Sequence, residues 1–146
     1  MKSKSVTLAE LSSLTYAMNM LSNEQDQIEV MVVAFRGKYR SGSFGNGDGR
    51  LMAAITHAAI AGWLPSGLLI DLREVEYEFG NTLIDCIDAG RDQSCGWYVP
   101  TRIIVADKSK RGVESLLTYL KRDPKEWVFS TMEEALHHLL DTICND

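Results

Sequence analysis

Apolar and polar positions alternate along this chain in blocks that change period, and those blocks predict its elements. From Gly67 onward, GLLIDL, EFGNTLIDCIDAG, TRIIVAD, GVESLLTYLKR, WVFS and TMEEALHHLLDTI read as strand, helix, strand, helix, strand, helix. Such alternation requires parallel strands joined by crossover helices, because a tight turn cannot connect a parallel pair. In the first half, Ile28–Phe35 is β-branched and almost uninterrupted, the strongest strand there. Leu14–Leu21 fits a second extended segment, and the polar SNEQDQ between the two reads as a hairpin loop. Thr7-Leu8-Ala9-Glu10 has the spacing of a capping box for a short N-terminal helix, although the same stretch also fits a strand. Arg36–Gly49 is rich in Gly and Ser and predicts no regular element, whereas Arg50–Gly62 predicts a helix stopped by Gly62. The sum is one α/β domain over residues 1–146, a mixed sheet of about five strands with Ile28–Phe35, Leu68–Asp71 and Ile103–Val105 at its centre.

Composition narrows the function classes. The chain has 146 residues, 45% hydrophobic and 24% charged, which suits a single globular core. No apolar run approaches a membrane span and the N-terminus lacks a signal-peptide core, so membrane insertion is not expected. A formal charge of −5 argues against a nucleic-acid surface and suits a protein partner with a basic face. Cys86, Cys95 and Cys144 form no CxxC pair, which points to free thiols in the cytoplasm and away from zinc.

Candidate chemistry is sparse. Ser41–Gly49 stands between a strand and a helix, where backbone amides can hold a phosphate. Gly42 and Gly47 have P-loop spacing, but Asp48 and Gly49 replace the Lys and Ser/Thr, and Arg50 occupies the third glycine position of a dinucleotide fingerprint. The stretch therefore reads as a mobile or partner-facing loop, with an anion or ligand role as the lesser alternative. Glu74, Glu76 and Glu78 alternate on an extended segment and read as a solvated edge. Asp71 ends a central strand, where open α/β sheets place ligands. Gly80 permits close backbone approach, and Asn81 is a candidate N-cap. His57 reads as a packed histidine, and the neighbours His137 and His138 point about 100° apart on a helix, too divergent for a metal pair. Cys86 reads as buried; Cys95, with Arg91 nearby in sequence, is a candidate thiolate without an identifiable base. Trp97 and Tyr98 read as a contact surface or a plug for the core, and Ser130 and Thr131 as caps of the last helix. No catalytic constellation or cofactor signature emerges.

GLLIDLREVEYEFGNTL and WVFSTMEEAL, within residues 14–143, resemble the STAS domain of anti-sigma-factor antagonists and sulfate-transporter tails, and the related Sec14-like group. The resemblance implies a non-enzymatic regulatory domain with a protein partner, with a small anionic or lipid-like ligand as a further possibility. Its phosphate-accepting Asp-Ser-Ser-Gly loop would fall on Phe79-Gly80-Asn81-Thr82, with Asn81 at the acceptor position. Asp71, Tyr77, Phe79, Gly80, Asn81 and Thr82 are then the candidate partner or ligand residues. Two other readings are open. GLLIDLREVEYEFGN also resembles the oxyanion loop of crotonase-like acyl-binding proteins, with Gly80 as an N–H donor, and the acidic charge permits a toxin-neutralising role.

Overall fold

A computed structural model describes residues 1–91, 96 and 98–146. Five strands form one sheet in the order β1-β2-β3-β4-β5: Thr15–Asn23, Ile28–Lys38, Gly67–Glu76, Thr101–Ile104 and Val128–Phe129. The β1/β2 hairpin is antiparallel in unbroken register from Thr15↔Arg36 to Asn23↔Ile28, and every later pairing is parallel. The three apolar runs expected at the centre occupy it. Helices α1 (Asn46–Trp63), α2 (Leu83–Ile87), α3 (Lys110–Tyr119), α4 (Pro124–Trp127) and α5 (Met132–Asn145) fill the connections and the end of the chain.

Strand alternation divides the core in two. Met31, Val33, Phe35, Leu68, Ile70 and Leu72 point to the face covered by α1, α2 and α3. Val30, Val32, Leu69 and Ile104 point to the other face, where Ala135 and Leu139 of α5 cover them. The second cover is smaller: α5 reaches Ile28 and Val30 near the β1/β2 turn and leaves that face open around Thr15, Ala17 and Arg36. Thr131 caps α5 by accepting from the Glu134 amide at 3.2 Å, with Glu133 and Glu134 favourably placed in the first turn.

Several expectations need correction. The glycine-rich stretch is ordered: β2 runs on to Lys38, Gly42–Gly45 forms a 3₁₀ turn, and α1 begins at Asn46. The cause is Asp48, fully buried, which accepts from the Ser12 hydroxyl, from the Arg40 amide at 2.9 Å and from Arg40 Nε at 3.0 Å. Nor does Gly62 stop α1. Leu64 does so in the left-handed region (φ 50°), its amide closing on the Ile60 carbonyl at 2.9 Å. The helix expected from Glu78 to Gly90 shrinks to α2 and a 3₁₀ turn at Ala89–Arg91, and the closing strand to two residues. Thr7 makes no side-chain cap; Leu8–Glu10 is a single 3₁₀ turn. Glu74 and Glu76 lie on a central strand paired with β2, and Glu74 meets Arg36 in an exposed ion pair.

Candidate functional site

The chain leaves β3 at Glu76 and turns sharply, and three contacts fix the turn. Tyr77 points inward, 2% exposed, its ring edge-on to Tyr39 at 4.9 Å, and its hydroxyl donates to the Gly80 carbonyl at 2.8 Å. Gly80 has φ +148°, and a Cβ there would stand 2.9 Å from Tyr39 Cε1, so both conformation and space demand glycine. Thr82 Oγ1 donates to Asn46 Oδ1 at 2.7 Å, and the Thr82 side chain lies where any side chain on Gly49 would have to go.

The glycine-rich turn and the Phe79–Thr82 turn, read separately in the sequence, form one unit. Gly42 (φ +63°) donates its amide to the Phe79 carbonyl at 3.3 Å, and the Phe79 ring lies against Gly42. Gly45 packs on the Tyr39 ring so closely that a Cβ would fall 2.5 Å from Cε1. Tyr39 is thus the post around which both turns are folded. Its hydroxyl is buried without a hydrogen-bond partner among the described residues; burial and then the Asp48 charge push its pKa up to about 12. Thr82 and the Leu83 amide hold back part of this rise. Neither meets hydrogen-bond geometry with Tyr39, and the Thr82 hydroxyl donates its proton to Asn46 instead.

What this unit presents to solvent is aromatic. Phe79 is 58% and Phe44 79% exposed, two large apolar rings on turns that cannot relax inward. Asn81 is exposed beside them. It is not an N-cap: Thr82 precedes the first residue of α2 and no side chain caps that helix, while the Asn81 carbonyl accepts from the Ile84 amide at 3.0 Å.

Asp71 is not part of this unit. It registers with Ala34 on the sheet face that α5 covers, opposite to α1 and α2, and Arg73 holds it through Nε at 3.0 Å and Nη2 at 2.8 Å. That pair lines an open cavity of about 710 Å³ with Thr15, Ala17, Arg36 and Glu74. A second groove, about 490 Å³, runs beside Tyr77 and carries Glu76, Glu78 and Asp107 against Lys108 and Arg111. Its carboxylates outnumber its cations, so it fits an anion poorly.

The remaining candidates are dispersed. Cys86 is fully buried against Thr56 Oγ1 at 3.3 Å, and burial pushes its thiol up to about 12. His57 is half-buried on α1. His138 accepts from Arg102 Nε at 2.9 Å, and His137 faces Asp141 at 3.5 Å. Tyr98 is 55% exposed and so does not plug the core. Cys95 and Trp97 lie outside the described residues. Among the described residues no cluster of three metal-binding side chains occurs. No helix there is long and apolar enough to cross a membrane.

No family model matches the chain, and no curated protein does. Solved structures do. An anti-sigma factor antagonist from Mycobacterium paratuberculosis superposes with a TM-score of 0.55 at 20% identity, over 88% of this chain and 96% of that one. An uncharacterised DUF3478 protein with a SpoIIAA-like fold from Shewanella loihica gives a TM-score of 0.48 at 16% identity over the same shares. The chain has a STAS-like fold, as its strand-and-helix order implies.

Proposed function

We propose that this protein is a non-enzymatic regulatory domain that binds a protein partner through the aromatic turn unit of Phe44, Phe79 and Asn81. The observation that carries the reading is the pair of exposed phenylalanines on glycine-locked turns. Rigid exposed aromatic side chains lose little entropy on docking and are the residues that dominate protein interfaces. The antagonist from Mycobacterium paratuberculosis, which shares this fold, lends the regulatory class.

Recognition in this reading is constitutive. Asn81 offers no hydroxyl for phosphate transfer, and the Thr82 hydroxyl is engaged by Asn46 and packed on Gly49. Tyr77 supports the surface from beneath and does not touch the partner, because it is buried. Asp71 has no part in it. A reducing cytoplasm suits the thiols.

Affinity capture from source cells tests the proposal. The parent should retain a protein that Phe79→Ala and Asn81→Asp release, with both variants melting as the parent does. Equal retention by correctly folded variants would remove this surface from consideration.

A further inference from the structure

Strand β1 forms one edge of the sheet, and its properties differ from those of a protected edge. It spans nine residues, Thr15–Asn23, about 30 Å at roughly 3.4 Å per residue. Its pairing with β2 has no bulge, and its sequence TYAMNMLSN contains no charge and no proline. Solvent reaches nearly all of it, with Tyr16 46%, Met18 37% and Leu21 36% exposed. Edge strands ordinarily carry lysine, proline or a bulge, because a row of unpaired amides and carbonyls invites another strand. None of these devices is present here.

We infer that β1 pairs antiparallel with β1 of a second copy of this chain, joining two five-stranded sheets across a two-fold axis. Self-pairing is isologous, so one patch serves both copies. With the axis at Asn19, the middle of the strand, Met18 lies opposite Met20 and Tyr16 opposite Ser22 on one face. Ala17 lies opposite Leu21 on the other. The Met18–Met20 and Ala17–Leu21 pairs set apolar on apolar, Tyr16 meets Ser22, and no charge is buried.

The ends of the strand select the antiparallel arrangement by charge. Glu24, Asp26 and Glu29 surround the hairpin end, whereas the other end carries Arg36, ion-paired with Glu74, and Lys38, in register with Glu76. Antiparallel pairing sets the acidic hairpin end of each copy beside the Arg36 and Lys38 end of its mate, twice per dimer, where parallel pairing would stack the hairpin-end carboxylates on one another. It also places the second copy against the open side of the cavity walled by Thr15, Ala17 and Asn19. A foreign extended segment would gain the backbone hydrogen bonds without this twofold charge match.

Sedimentation velocity of the full chain from about 1 to 500 μM, a span reaching the weak end of specific association, should show a concentration-dependent monomer–dimer equilibrium. Met18→Lys sets lysines near the axis of both copies and should weaken association by at least about tenfold, with its melting temperature unchanged. Phe79→Ala should leave the dimer intact, which separates this interface from the proposed partner surface. A cross-link gives a geometric check that does not depend on affinity. Directly opposed residues of antiparallel strands have Cα atoms about 4.5–5.5 Å apart, within disulfide range. In a Cys144→Ser background, Asn19→Cys should oxidise to a disulfide-linked dimer and Phe79→Cys should not. A chain that stays monomeric at the highest concentration, or a dimer indifferent to Met18→Lys and not trapped by Asn19→Cys, would overturn the inference.

Discussion

Asp48 provides the sharpest test of how the turn unit is held. Its carboxylate is 0% exposed and accepts from Ser12 Oγ, the Arg40 amide and Arg40 Nε, with Arg40 Nη2 further off at 3.4 Å. Asp48→Ala removes the acceptor for all of them. The Ser12 hydroxyl and the Arg40 amide keep their places but lose their partner. Breaking a buried charged pair costs about 3–5 kcal/mol. The Arg40 side chain is 51% exposed, so water recovers part of its loss. A cost of about 3 kcal/mol follows. For a domain of this size that is a fall of about 6–12 °C in melting temperature, at about 2–4 °C per kcal/mol. Asp48→Asn keeps one acceptor oxygen and should fall between the variant and the parent. Calorimetric melts of the three proteins at neutral pH decide the matter. If Asp48→Ala melts within about 2 °C of the parent, the buried carboxylate does not hold the glycine-rich turn against β2 and α1.

Three further outcomes follow from the same geometry. Gly80→Ala must adopt φ +148° and push a Cβ to 2.9 Å from the Tyr39 ring, so it should lose at least about 2 kcal/mol in urea unfolding; a loss below about 0.5 kcal/mol would show that the turn relaxes. Stability should decline at alkaline pH. Cys86 and Tyr39 are raised from 9.0 and 10.0 to about 12, so their contribution is complete below pH 9 and is lost as the unfolded thiol and then the phenol ionise, at about 1.4 kcal/mol per pH unit per group. Cys86→Ala should flatten the decline between pH 9 and 10, and an unchanged slope in denaturant titrations would exclude the thiol as its source. The protein should turn over neither ATP nor GTP, because Asp48 stands buried where a P-loop carries its lysine; hydrolysis that co-elutes with the pure chain would contradict this.

Legibility in the sequence followed the length over which a physical signal is averaged. β2, β3 and β4 were readable because continuous apolar runs such as Ile28–Phe35 demand cover on both faces, and the parallel order followed from the intervening helices. The order in Ser41–Gly49 is not legible locally, because composition records flexibility and not long-range partners. Four glycines in nine residues suggest a loose loop, yet here Gly45 and Gly49 admit Tyr39 and Thr82, and Asp48 reaches back to Ser12, 36 residues away. Nothing local to Asp48 announces Ser12. The candidate site was half visible. Phe79 to Thr82 stood out through the resemblance, and Gly80 is required by the turn as expected of glycine. Tyr39 and Phe44 escaped notice because each is a single aromatic in a polar stretch with no period to mark it. The resemblance and the strand reading group Tyr77 and Asp71 with the surface; simple alternation would put the two on one face, but β3 shifts register after Asp71, which leaves Asp71 on the face that α5 covers and Tyr77 buried in the core on the other.

The central claim is that Phe44 and Phe79 form the anchor of a constitutive protein-binding surface. Titration calorimetry with the captured partner, comparing the parent with Phe44→Ala and Phe79→Ala, tests it most directly. Each substitution should weaken binding by at least about tenfold, as buried aromatic anchors do, while circular dichroism and melting temperature stay at parental values, because both rings are exposed in the unbound chain. Affinities within about twofold of the parent for both folded variants, a difference of less than about 0.5 kcal/mol, would contradict the account.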